Sequence, residues 1–190
     1  EVLGLIYGIT ENGKRYKMRN HINSFPILTG IFLTIFSTQV WSLEYSIHEN
    51  DSPALNAIYA TGEISSGDSI RLETYLRTLP VKQHIAVYLD SPGGSLTEGM
   101  DLGLFFRKMK IKTVIEGGEI CASACALAFL GGTDNKGQAW RSSSDNSLLG
   151  FHAFYSSDEK MDPNQVQHIV GLMLIYAQQV EAPLEALIAG

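Results

Sequence analysis

Apolar residues in this chain follow two alternating patterns, short β-branched runs and longer stretches spaced three to four apart, which predict strands and helices in turn. Residues 58–64 (Ile-Tyr-Ala-Thr-Gly-Glu-Ile) read as a first strand. Asp68 then caps a helix with Leu72, Leu76 and Leu79 on one face, closed by Pro80. A strand over 84–90 (His-Ile-Ala-Val-Tyr-Leu-Asp) runs into Ser91-Pro92-Gly93-Gly94-Ser95. Ser95 and Glu98 make the Ser-x-x-Glu box of a helix over 95–109, on which Leu96, Met100 and Leu104 share a face. The next strand, 111–116, stops at Gly117-Gly118, and an alanine-rich helix is expected directly after it. Residues 148–152 (Leu-Leu-Gly-Phe-His) read as an apolar strand ending in a histidine. Asp162-Pro163-Asn164-Gln165 then starts a helix running to about Val180, with Val166, Ile169, Leu172, Met173 and Tyr176 apolar.

Strand and helix alternating in this way imply right-handed crossovers and an α/β fold with a mainly parallel sheet. Reactive groups in such folds gather at the carboxyl ends of the strands, where Gly93, Ser123 and His152 all fall.

The amino-terminal part has a different character. Residues 1–17 show no usable period and precede the first methionine, Met18, so they read as upstream sequence. Residues 18–42 read as a signal peptide: Lys14, Arg15, Lys17 and Arg19 lie around its start, an apolar run spans 26–36, and Val40-Trp41-Ser42 ends it. The alternative is an uncleaved anchor over 25–43, which would associate the chain with a membrane. Residues 43–56 are polar and read as a linker, and 57–190 as the folded domain. Net charge is −6; without residues 1–42, which hold four basic and two acidic side chains, 10 basic against 18 acidic residues leave −8. An acidic domain of this kind is a poor partner for nucleic acid. Its one basic cluster, Arg107, Lys108, Lys110 and Lys112, falls at a helix end, where cations offset the dipole.

Candidate chemistry centres on residues 118–132. Ser123 falls in the first turns of the alanine-rich helix, where unpaired N–H groups can stabilise negative charge beside its hydroxyl. The structural alternative is a small-residue helix packed on a sheet, with Ser123 bonded one turn back. Gly93-Gly94, between a strand and a capped helix, exposes backbone N–H groups of the kind an oxyanion site needs. His152 lies 152 − 123 = 29 residues past Ser123 and is a candidate general base. Cys121 and Cys125 flank the serine; no other ligands stand at zinc spacing, and the pair is open to either a disulfide or two buried thiols. No metal or other cofactor is expected.

Three motifs in order, Ser-Pro-Gly-Gly-Ser, Ala-Ser-Ala-Cys-Ala and Gly-Phe-His, each next to a predicted strand, resemble the Clp protease proteolytic subunit and the wider ClpP/crotonase superfamily. The resemblance covers about residues 57–190 and is nearest to predicted periplasmic ClpP-like proteins. It implies flanking helices built from repeated ββα and βα units, Ser123 as nucleophile, His152 as base, and the N–H groups of Gly93 and Ala124 as oxyanion hole. It also implies a homo-oligomer acting on peptide or protein substrates. The family's orienting aspartate would fall near or past Gly190, so the domain is expected to be truncated before it. Asp145, Asp158 and Asp162 read first as loop or capping residues. Lys160, the one lysine placed to act as base in the manner of related signal peptide peptidases, reads as a solvated loop residue.

Two functions follow from these readings. One is an exported, periplasmic or secreted serine peptidase or acyl hydrolase, ATP-independent because it would not meet cytoplasmic unfoldases. The other is an inactive binding or scaffolding protein on the same fold. A crotonase-like acyl-CoA enzyme ranks third, since that chemistry needs no serine-histidine pair.

Overall fold

The computed structural model describes residues 42–48, 52–151 and 162–182. The expected upstream segment, the export segment up to residue 41, His152, Asp158 and Lys160 lie outside the described residues. Among the described residues, no helix is long and apolar enough to cross a membrane.

The chain runs β1 (Glu44–Ile47), β2 (Leu55–Thr61), α1 (Asp68–Thr78), β3 (His84–Asp90), α2 (Leu96–Met109), β4 (Lys112–Ile115), β5 (Ile120–Ala122), α3 (Ala124–Leu130), β6 (Arg141–Ser143), β7 (Leu148–Gly150) and α4 (Pro163–Gln179). Five strands form one sheet in the order β1-β2-β3-β4-β6, and β5 and β7 form a second, smaller one. All pairings are parallel except β1 with β2. This is an α/β architecture with a mainly parallel sheet and flanking helices, as the alternating pattern predicts.

Among the strands, the sequence pattern and the structure differ most in three places. The polar stretch read as a linker contains β1, whose register pairs Tyr45 with Ala60 and Ile47 with Ile58. Leu43 beside it is buried in the main core. The polar loop after Gly132 contains β6, three residues too short and too polar to show a period. A further strand, β5, stands between Gly118 and the alanine-rich helix, so the predicted strand, turn and helix are a strand, a turn, a second strand and then the helix.

The main core lies between the large sheet and the helices, built by Ala60, Val87, Leu89 and Ile115 from strands and by Leu72, Leu102 and Phe106 from α1 and α2. Each of the larger side chains here contributes about 1.5–3 kcal/mol by leaving water. α2 and α3 pack so closely that a Cβ on Gly99 would strike the backbone carbonyl of Ala124. α4 joins a second cluster, in which buried Tyr176 donates its hydroxyl proton to the Leu127 carbonyl near the end of α3. That bond satisfies one of the carbonyls a helix terminus leaves open.

Candidate active site

Ser123 sits between β5 and α3, as the residue before the first helical turn. Its backbone is at φ 57 and ψ −122, a combination that costs a non-glycine residue on the order of 1–3 kcal/mol. A strained serine on a strand-to-helix turn is the arrangement by which hydrolases lift a hydroxyl clear of its own backbone. The sequence pattern puts Ser123 in the first turns of the helix; the structure places it at the elbow just before them, because β5 takes up residues 120–122.

Four backbone hydrogen bonds fix this elbow. Ser91 N–H donates to Ile120 O at 2.7 Å and Ala122 N–H to Ser91 O at 3.1 Å, so the chain after β3 is bound to β5. Ser123 N–H donates to Gly150 O at 2.9 Å and Leu127 N–H to Ser123 O at 3.3 Å. Ala122 pairs with Gly150 in the β5–β7 register, so the strand that leads to His152 runs beside the serine. The structure thus brings Ser123, Gly93 and Ala124 together.

The oxyanion side has a detail that the sequence hides. Gly93, expected as a donor, gives its N–H to Ser91 Oγ at 3.1 Å. Its carbonyl accepts from Ile64 N–H at 2.7 Å. A trans peptide points the next N–H opposite to that carbonyl, so Gly94 N–H faces away from Ile64 and toward the side where β5 and Ser123 lie. Gly93 is the residue the sequence points to; the bridge from Ile64 to Gly94 leaves the Gly93 N–H with Ser91 and turns the Gly94 N–H away from Ile64. Ala124, the other expected donor, is 1 % exposed, and its nitrogen lies 3.1 Å from where a Gly93 Cβ would stand.

Two buried carboxylates brace this loop from behind. Asp68 is the first residue of α1, and its side chain does not cap that helix as expected. It accepts from Ser65 N–H at 2.6 Å and Leu43 N–H at 3.4 Å and pairs with Arg71. Glu98 likewise does not close the capping box: Ser95 Oγ accepts from Glu98 N–H, but the Glu98 carboxylate crosses to Gly67 N–H at 2.8 Å and Ser69 N–H at 2.7 Å. Burial alone would raise the Glu98 pKa, yet the Ser69 and Gly67 N–H groups, the Ser69 hydroxyl and Arg71 outweigh it and hold the carboxyl below its ordinary value. A folded-state pKa below the unfolded one contributes stability above the ordinary carboxylate range, lost as pH falls through the depressed value. Glu98→Gln is therefore expected to lower stability by about 2 kcal/mol at neutral pH. Thermal melts of both proteins should converge at acid pH; a constant gap would remove Glu98 ionisation as the cause.

On the rim, hydrogen bonding to Asp90, then burial and the charges of Asp90 and Glu116, raise the pKa of Glu119. Asp145 is exposed in the turn after β6, and Asp162 accepts from Asn164 N–H as the cap of α4, so both hold the loop and capping positions expected of them. No group of side chains among the described residues could hold a metal ion. Cys121 and Cys125 form a disulfide across the elbow, with Cα atoms 5.1 Å apart. Neither open reading of this pair foresaw that one cysteine lies on a strand and the other in a helix.

A family model for Clp protease matches residues 56–145. The solved ClpP protease catalytic domain from Plasmodium falciparum is similar at 20 % identity and a TM-score of 0.49, over 70 % of each chain. A search of the curated proteins found no match. The matched span runs from β2 past the Ser-Pro-Gly-Gly-Ser turn and the serine elbow to the start of the turn before β7, and over that span this domain is similar to Clp protease.

Proposed function

We propose that this chain is an exported ClpP-like serine peptidase or acyl hydrolase, acting on peptide or protein substrates without an ATP-driven unfoldase. Ser123 attacks the acyl carbon, His152 takes its proton, and the N–H groups of Gly94 and Ala124 hold the oxyanion, with Gly93 supplying the turn between them. The observation that carries the reading is the strained Ser123 held between β5 and α3, beside the strand that leads to His152. Strain of this kind persists where the surroundings impose it, and it gathers at sites of chemistry.

Export is supported by the Cys121–Cys125 disulfide, since such bonds persist in oxidising compartments, together with the apolar run over residues 26–36. Assembly into a homo-oligomer is part of the same reading. The alternative is an inactive binding protein on this fold.

Labelling of the full-length protein with a fluorophosphonate probe separates the two. Capture that requires both Ser123 and His152, tested with Ser123→Ala and His152→Ala beside wild type, supports the hydrolase. Absence of capture by the folded wild type would leave the binding protein.

A further inference from the structure

The disulfide closes a ring around the serine. Cys121 lies in β5 and Cys125 in the first turn of α3; both are 0 % exposed, and only Ala122, Ser123 and Ala124 stand between them. A crosslink over so few residues removes little chain entropy from the unfolded state, so its main effect falls on local geometry. At that place the backbone holds Ser123 in a conformation it would leave if free. For Ser123 to relax, either the end of β5 or the start of α3 must shift, and the sulfur bridge ties these two to each other.

We propose that the Cys121–Cys125 disulfide is a positioning element for the nucleophile, so that its reduction by a dithiol slows chemistry at Ser123. The proposal rests on the reading of Ser123 as nucleophile. In the reductive step a thiolate of the dithiol attacks one sulfur, forming a mixed disulfide and releasing the other cysteine. The second thiol of the reagent then displaces the remaining cysteine. Two electrons and two protons pass to the cysteines, and the reagent leaves as a cyclic disulfide. Ser123 then relaxes, and its hydroxyl loses register with the oxyanion donors.

The test uses the full-length protein oxidised, reduced with dithiothreitol, and as the double variant Cys121→Ala with Cys125→Ala. Two readouts are taken: fluorophosphonate capture resolved into KI and kinact, and amide exchange over residues 120–127. Loss of positioning is expected to lower kinact by about 10- to 100-fold with KI unchanged, and reoxidation should restore it. The amides of Ser123 and Leu127 should exchange faster in both crosslink-free forms. Equal kinact and equal exchange with and without the bond would overturn the proposal. If oxidised wild type is not captured at all, the nucleophile reading falls, and exchange alone still upholds or overturns the positioning role. A chain that unfolds whenever the crosslink is absent also overturns it, because the bond then holds the domain and not the elbow.

Discussion

Ser123→Ala is expected to lower kcat for acyl hydrolysis by about 10⁴- to 10⁶-fold while leaving the melting temperature close to that of wild type. The large effect comes from losing the only atom that forms the covalent intermediate; a residue of rate enhancement should survive through the oxyanion donors and substrate binding. The small structural effect follows from the surroundings of the side chain. Ser123 caps no helical N–H, and its backbone ties to Gly150 and Leu127 do not involve the hydroxyl. Alanine meets the same φ of 57° that serine meets, so the replacement adds little strain. A stopped reaction with an intact melt therefore isolates chemistry from folding. Turnover that survives the substitution would move the nucleophile elsewhere and end the assignment.

Much of this arrangement was legible in the sequence because the physical signals were local. The strand at His84–Asp90 is a period-two apolar run bounded by turn residues, and its span matches the structure. Ser95 before Leu96 and Asp162 before Pro163 announce helix starts through capping chemistry that acts within three residues, and both side chains do cap. What escaped depended on partners distant in the chain. β1 and β6 are short and polar, and they exist because β2 and β4 offer edges to pair with. β5 is three residues long and is set by Ser91 on one side and Leu148–Gly150 on the other. Glu98 stands three residues from Ser95, the spacing of a capping box, yet Gly67 and Ser69 offer two N–H groups from 31 and 29 residues away, and the carboxylate goes to them. The orientation of the peptide between Gly93 and Gly94 belongs to the same class, since Ile64 N–H holds the Gly93 carbonyl.

Gly93→Ala is expected to lower kcat by about 10²- to 10³-fold, with a smaller change in KM, although it adds only a methyl group. Residue 93 is at φ +102, which no L side chain adopts without strain, and the new Cβ would stand 2.6 Å from Ala122 O, 2.7 Å from Ser123 Cβ and 3.1 Å from Ala124 N. Those three contacts belong to Ala122, to Ser123, the proposed nucleophile, and to Ala124, the second proposed oxyanion donor. Relief therefore requires the glycine loop and the serine elbow to separate, which weakens the Ser91 pairing with β5 and moves Gly94 N–H off the oxyanion position. Backbone strain alone would lower stability without reaching the chemistry, and Gly137→Ala supplies that comparison. Gly137 is at φ +81, but a Cβ there meets nothing within 4 Å, so its cost is conformational and far from Ser123 in sequence. Each variant should lose on the order of 1–3 kcal/mol in denaturant melts, while only Gly93→Ala loses turnover. If both variants kept wild-type kcat, the Gly93-Gly94 turn would be structural, and the oxyanion would have to be held by other donors.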